Sequence, residues 1–208
     1  LTTNGAVIHR QFDHVVLAIG FGDEISCGAA IPIHYWKQNS TGSAAAEPKS
    51  PASYIVSGNG DGGLTDLLNL LVQDFDHVGF TRRFLNYFSN DALRVTTEAA
   101  CAGVAAGGDL ETAFISHLLP LFGEWGVLDR LSQLLRADRK VTINSSGPLF
   151  AAAKAAQLNQ VMVFAVLEAA KQVGRPVQRS SGHVTDVVAS AGGFQVSGLN
   201  VEGAPLTE

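Results

Sequence analysis

The sequence predicts an α/β fold: a parallel sheet with an antiparallel hairpin at each end and a run of helices inserted between two of its strands. Three observations lead there. Tyr54-Ile-Val-Ser57 reads as a buried strand and passes through Gly58, Gly60 and Gly63 into a helical pattern over residues 64–72. From 84 to 135 the apolar residues recur at helical spacing, broken at Gly107-Gly108, Pro120 and Gly123. The final third alternates apolar and polar residues as a strand and a hairpin do.

Taken in order, the chain opens with Gly5-Ala-Val-Ile-His-Arg10 and then His14-Val-Val-Leu-Ala-Ile19-Gly20, which predict a short hairpin whose second strand is fully buried. Residues 23–53 break into Gly, Pro, Ser and Ala, and 41–51 read as a surface loop. The strand–glycine–helix unit follows. After its helix a doubly wound sheet returns a strand within a few residues, whereas here segments 84–88, 92–106, 110–122 and 127–135 read as helices. Residues 76–138 are therefore expected to be a helical insertion in one domain spanning 1–208.

Lys140-Val-Thr-Ile-Asn144 is the next strand, Ser145-Ser-Gly-Pro148 a turn, and 151–173 a long helix. Leu158, Val161, Met162, Ala165 and Val166 give that helix an apolar stripe that should lie on the sheet. The chain closes with a strand from Pro176 and a hairpin over 183–190 and 193–201.

Gly58, Gly60 and Gly63 have the G-x-G-x-x-G spacing. The first glycine makes the turn, the second admits a pyrophosphate to the backbone, and the third packs helix against strand. The helix N-terminus adds free N–H groups and partial positive charge. Gly58, Asn59, Gly60, Asp61, Gly62 and Gly63 are the candidate phosphate-binding residues. A purely structural strand-to-helix turn and an S-adenosylmethionine loop are the competing readings.

Composition narrows the partners. The formal charge of -5, with no run of cations longer than Arg82-Arg83 or Arg139-Lys140, argues against a nucleic-acid or anionic-membrane partner. No apolar stretch is long enough to span a bilayer as a helix, and a cytoplasmic setting is expected. The start, Leu1-Thr-Thr-Asn4, lacks an initiator Met and is expected to be a cut from a longer protein. Cys27 and Cys101 form no C-x-x-C and are expected to be reduced and structural.

The order of Ala18-Ile19-Gly20, Gly58-Asn59-Gly60-Asp61-Gly62-Gly63 and Lys140-Val141-Thr142, with a hairpin at each end, resembles the pyridine-nucleotide domain of thioredoxin-reductase-like flavoproteins. In that family an "ATG"-type strand precedes a G-G-G-D-S-A loop, and a K-V-T strand follows. The resemblance covers the chain outside 23–53 and the helical insertion. It implies a Rossmann-like FAD/NAD(P)-binding domain that binds NAD or NADP, with FAD carried by a domain missing from this chain. It further implies the NAD(P)-binding portion of an FAD-dependent oxidoreductase that presents a nicotinamide to a flavin and is inactive alone.

By that resemblance Gly58, Gly60 and Gly63 would hold the pyrophosphate, Ser145 and Ser146 would lie near the adenosine ribose, and Gly20 would border the crevice. Asn144, Ser145 and Ser146 are candidate cofactor-binding residues, and they carry neither the acid of NAD-specific relatives nor the basic residues of NADP-specific ones. No FAD-type glycine motif stands near the N-terminus, and no catalytic dithiol is present. A non-catalytic dinucleotide-sensing or interaction module is the alternative; a methyltransferase fits less well, because that fold expects a promptly returning second strand.

Several residues have plainer readings. Asp61 is expected to cap its own helix by accepting N–H bonds, with Thr65 and Asp66 suiting the helix dipole. His9 and His14 are read as structural. His34-Tyr35-Trp36 reads either as a stacking surface or as a plug anchoring the loop, and Arg82, Arg83 and Arg139 as phosphate partners or solvated surface.

Overall fold

The computed structural model describes residues 8–17, 27–29, 52–89 and 91–201. Among the described residues there are seven strands: β1 (Ile8–Phe12), β2 (His14–Leu17), β3 (Ala52–Ser57), β4 (Arg139–Ser145), β5 (Gln178–Ser181), β6 (Asp186–Ser190) and β7 (Gly193–Val201). The helices among them are α1 (Asp61–Leu71), α2 (His77–Leu85), α3 (Ala92–Cys101), α4 (Glu111–Glu124), α5 (Val127–Ser132) and α6 (Gln157–Gln172). The sheet runs β1-β7-β5-β4-β3-β2, with β6 paired to β7. The four strands β2 to β5 are parallel, and β7 pairs antiparallel with β5, β6 and β1.

Alternation along β3 shows how the layers form. Ala52, Tyr54 and Val56 point into the large core shared with the helices, as do Val141 and Ile143 of β4. Ile55 points to the other face, where it meets Phe12, Val187, Val196 and Leu199 from the β6-β7-β1 meander. The parallel strands are thus covered by helices on one face and by antiparallel strands on the other. Both faces being buried explains why Tyr54-Ile-Val reads as continuously apolar.

Between the sheet and the helical insertion lies an aromatic cluster. Phe164 of α6 contacts Phe114, Phe122 and Phe150, and Phe84 contacts Phe88 and Phe122, with ring centroids 5.5–6.2 Å apart. Four helices, α2 to α5, lie between α1 and β4, in the stretch where helices were expected. The terminal hairpin is present as β6 and β7.

The expected N-terminal hairpin is absent. β1 pairs with β7 and β2 with β3, so the two strands belong to different layers although only Asp13 separates them. A hairpin turn needs at least two loop residues. Asp13 instead makes a corner: its N–H donates to Ser53 O at 3.0 Å and its carboxylate accepts the Ser53 N–H at 2.5 Å. At the same crossing a Cβ on Gly193 would strike the Phe12 carbonyl, so β7 needs glycine where β1 passes over it.

The long helix also begins later than expected. Ala151-Ala-Ala-Lys-Ala-Ala156 has high helix propensity, yet α6 starts at Gln157. Tertiary bonds win here. Ala152 N–H donates to Gly108 O, Gly107 N–H to Ala152 O and Leu110 N–H to Phe150 O, at 2.7–2.9 Å. The buried Gln160 amide then donates to the carbonyls of Ala151 and Ala155, at 3.2 and 3.0 Å.

Candidate functional site

The carboxyl ends of β2, β3, β4 and β5 form one edge, where open α/β sheets place ligands. A single register line marks it: Leu17 lies opposite Ser57, Ser57 opposite Asn144, and Asn144 opposite Ser180. Two strand-to-helix loops leave this edge side by side. One is Gly58-Asn59-Gly60 between β3 and α1; the other is Ser145-Ser146-Gly147-Pro148 after β4.

Gly58 begins the first loop at φ +125°, a region L side chains rarely adopt, and its N–H donates to Asn144 O at 2.9 Å. Asn59 donates through Nδ2 to Pro148 O at 2.6 Å and so ties the first loop to the second. Gly60 is the N-cap residue of α1 and brings no side-chain cap to the helix end. Gly62 lies in the first turn, and Gly63 is buried in α1 as close helix–strand packing requires. The first-turn N–H groups have no acceptor within the helix, as at any helix start.

Asp61 does not cap α1. Its Oδ1 accepts Ala156 N–H at 2.9 Å and Asn159 Nδ2 at 2.7 Å, so this carboxylate oxygen serves the start of α6. Asn159 Oδ1 in turn lies 3.2 Å from His77 Nε2, with the ring nitrogen donating. Asp61, Asn159 and His77 thereby join the glycine helix, α6 and the first helix of the insertion. The sequence-based expectation missed this because α6 lies about ninety residues downstream of Asp61.

The second loop divides its residues. Asn144 is buried; its Nδ2 donates to Ser57 Oγ (2.9 Å) and Gly182 O (3.2 Å), and its Oδ1 accepts from Ser180 Oγ (2.8 Å). Its amide holds the ends of β3, β4 and β5 together. Ser145 Oγ donates to Gly147 O at 2.6 Å and shapes its own loop, whereas Ser146 is exposed. Beside them a cavity of about 150 Å³ is lined by Ser145, Gly147, Ser181 and the Arg179–Glu111 ion pair, closed at 2.6 Å. Neither residue of that pair stood out in the sequence, since β5 and α4 meet only in the fold.

The structure therefore brings Gly58 to Gly63 and Asn144 to Ser146 to one edge. Gly20 and the bordering 18–22, the loop 41–51 and His34-Tyr35-Trp36 lie outside the described residues. Arg82 and Arg83 sit in the last turn of α2. The Arg139 guanidinium lies 5.2 Å from the Tyr54 ring centre, at the opposite end of the strands from the glycines. Cys27 and Cys101 are not bonded to each other, and burial pushes the Cys101 thiol pKa up. No group of His, Cys, Asp and Glu among the described residues is placed to hold a metal ion, and no helix among them is long and apolar enough to cross a membrane.

No protein-family model, curated protein or solved structure matches the chain.

Proposed function

We propose that this chain is the NAD(P)-binding portion of an FAD-dependent oxidoreductase, a Rossmann-like domain that positions a nicotinamide for hydride transfer to a flavin held elsewhere. The observation that carries the reading is the β3–Gly58–α1 unit at the carboxyl edge of four parallel strands. It combines a glycine at φ +125° with a helix start that no side chain caps.

The residues present fit a dinucleotide. Gly60 and the first turn of α1 offer backbone N–H groups to a pyrophosphate. Asp61, the one acid in that turn, has a carboxylate oxygen engaged by Ala156 and Asn159, which holds it toward α6. Asn59 and Asn144 position the two loops, and Ser146 offers an exposed hydroxyl at the same edge. The bound nicotinamide would supply the hydride; this chain would orient it. A dinucleotide-sensing interaction module is the second reading, favoured by Val78, Leu85 and Val95, apolar residues exposed on the helical insertion.

Calorimetric titration with NADH, NADPH, FAD and S-adenosylmethionine tests the proposal. One pyridine nucleotide should bind, and a Gly60→Asp variant, which puts a carboxylate at the pyrophosphate approach, should abolish binding. Failure of both pyridine nucleotides to bind the folded chain would overturn the proposal. Binding in the whole protein without flavin reduction would favour the sensing module.

A further inference from the structure

At the other end of the parallel strands, far from the glycine loop, lies a cavity of about 450 Å³. That volume falls in the range of small-molecule sites. It opens where β4 and β5 begin and where α1 and α6 end. Leu135, Val141, Pro176 and Val177 give it apolar walls, and Arg136, Arg139, Lys140 and Arg175 line it.

The charge is unusual for this chain. Acidic residues outnumber basic ones by 19 to 14, yet four of the basic residues line this one cavity and no carboxylate lines it. Helix dipoles explain only part of this. Arg136 Nε donates to Val72 O at 3.2 Å, just past the end of α1, as a cation at a helix C-terminus does. Arg139 and Lys140 belong to β4 rather than to a helix.

The backbone that carries these cations is fixed. The main-chain N–H of Arg136 donates to Leu71 O and that of Arg175 to Ala170 O, both at 2.8 Å, while the Tyr54 ring braces the Arg139 guanidinium. Burial, and then the neighbouring Arg136, pull the Arg139 pKa below its ordinary value. Like charges fixed near one another in a half-buried pocket gain most from an anion that comes between them. Guanidiniums add a fork suited to phosphate oxygens.

We propose that this amino-edge cavity is a binding site for a small organic phosphate carrying at least two negative charges, its anionic group held by Arg136, Lys140 and Arg175 and its carbon body lying on Leu135, Val141 and Val177. The site is independent of the dinucleotide reading, because it lies at the opposite edge of the sheet.

Inorganic pyrophosphate is the probe, titrated by calorimetry at low and moderate salt against the whole chain. Three variants accompany it: Gly60→Asp, the charge reversal Lys140→Glu with Arg175→Glu, and the neutral pair Lys140→Gln with Arg175→Gln. Lys140 and Arg175 are exposed, so the neutral pair keeps the fold if the reversal does not. Pyrophosphate should bind more weakly as salt rises, bind Gly60→Asp as well as the unaltered chain, and lose roughly tenfold or more in affinity in the neutral pair. Absence of binding, unchanged affinity in the neutral pair, or loss in Gly60→Asp each overturns the assignment. Citrate binding more tightly than pyrophosphate would overturn the phosphate class.

Discussion

At Asn144 one buried amide joins three strands. It donates to Ser57 and Gly182 and accepts from Ser180, and the Asn144 carbonyl also receives the Gly58 N–H that opens the glycine loop. Removing the side chain strands the buried Ser180 hydroxyl, at about 1–3 kcal/mol for a buried group left unpaired, and frees the half-buried Ser57 and Gly182. Asn144→Ala should therefore lower the urea midpoint by several times the effect of Ser146→Ala, which alters an exposed hydroxyl. Equal midpoints for the two variants would show that the three-strand amide contributes nothing. The sequence offered Asn144 as a candidate cofactor-binding residue, but its register in β4 places it with Ser57 and Ser180 inside the edge.

Among the elements, α1 and α6 depend on each other through Asp61. A carboxylate accepting a backbone N–H is a charge-assisted bond, and its loss in Asp61→Ala should cost about 1–3 kcal/mol. Hydrogen exchange gives the sharper reading: the Ala156 amide should exchange faster in the variant, while amides in the middle of α1 are unaffected. Acceleration spread along α1 instead would mean that Asp61 stabilises its own helix.

This pairing also marks what could be read before the fold was known. β3, β4, α1 and the helical insertion were legible because their periodicity is local. The partner of Asp61, the late start of α6 and the split of β1 from β2 were not, because each is decided by bonds to distant segments: Ala156, Gly108 and Ser53. The amino-edge cations were hidden for the same reason. Arg136, Arg139 and Lys140 fall within five residues of sequence, and only the fold brings Arg175 to them.

For the molecule as a whole, burial sets an alkaline limit. The hydroxyl pKa values of Tyr54 and Tyr87 and the thiol pKa of Cys101 are raised, chiefly because burial penalises the anion. The folded state therefore binds these protons more tightly than the unfolded chain. Their contribution to stability is complete below the unfolded-state values, about 8.5 for Cys and 10 for Tyr, and is lost as pH rises through the folded-state values. Urea midpoints should fall progressively as pH rises above about 9. A Cys101→Ala, Tyr87→Phe variant should fall less steeply, and matching curves for the two proteins would count against this origin.

The corner at Asp13 reaches further than its one residue. Because β1 leaves it to pair with β7, Ile8 finds its partner at Leu199, almost the whole length of the chain away. Such a contact closes a very large loop before it returns any energy, and topologies of this kind fold slowly. During synthesis β1 is made before the other described strands and must wait for β7. Loss of the final hairpin would leave it, and the face of Ile55 beneath, without a partner.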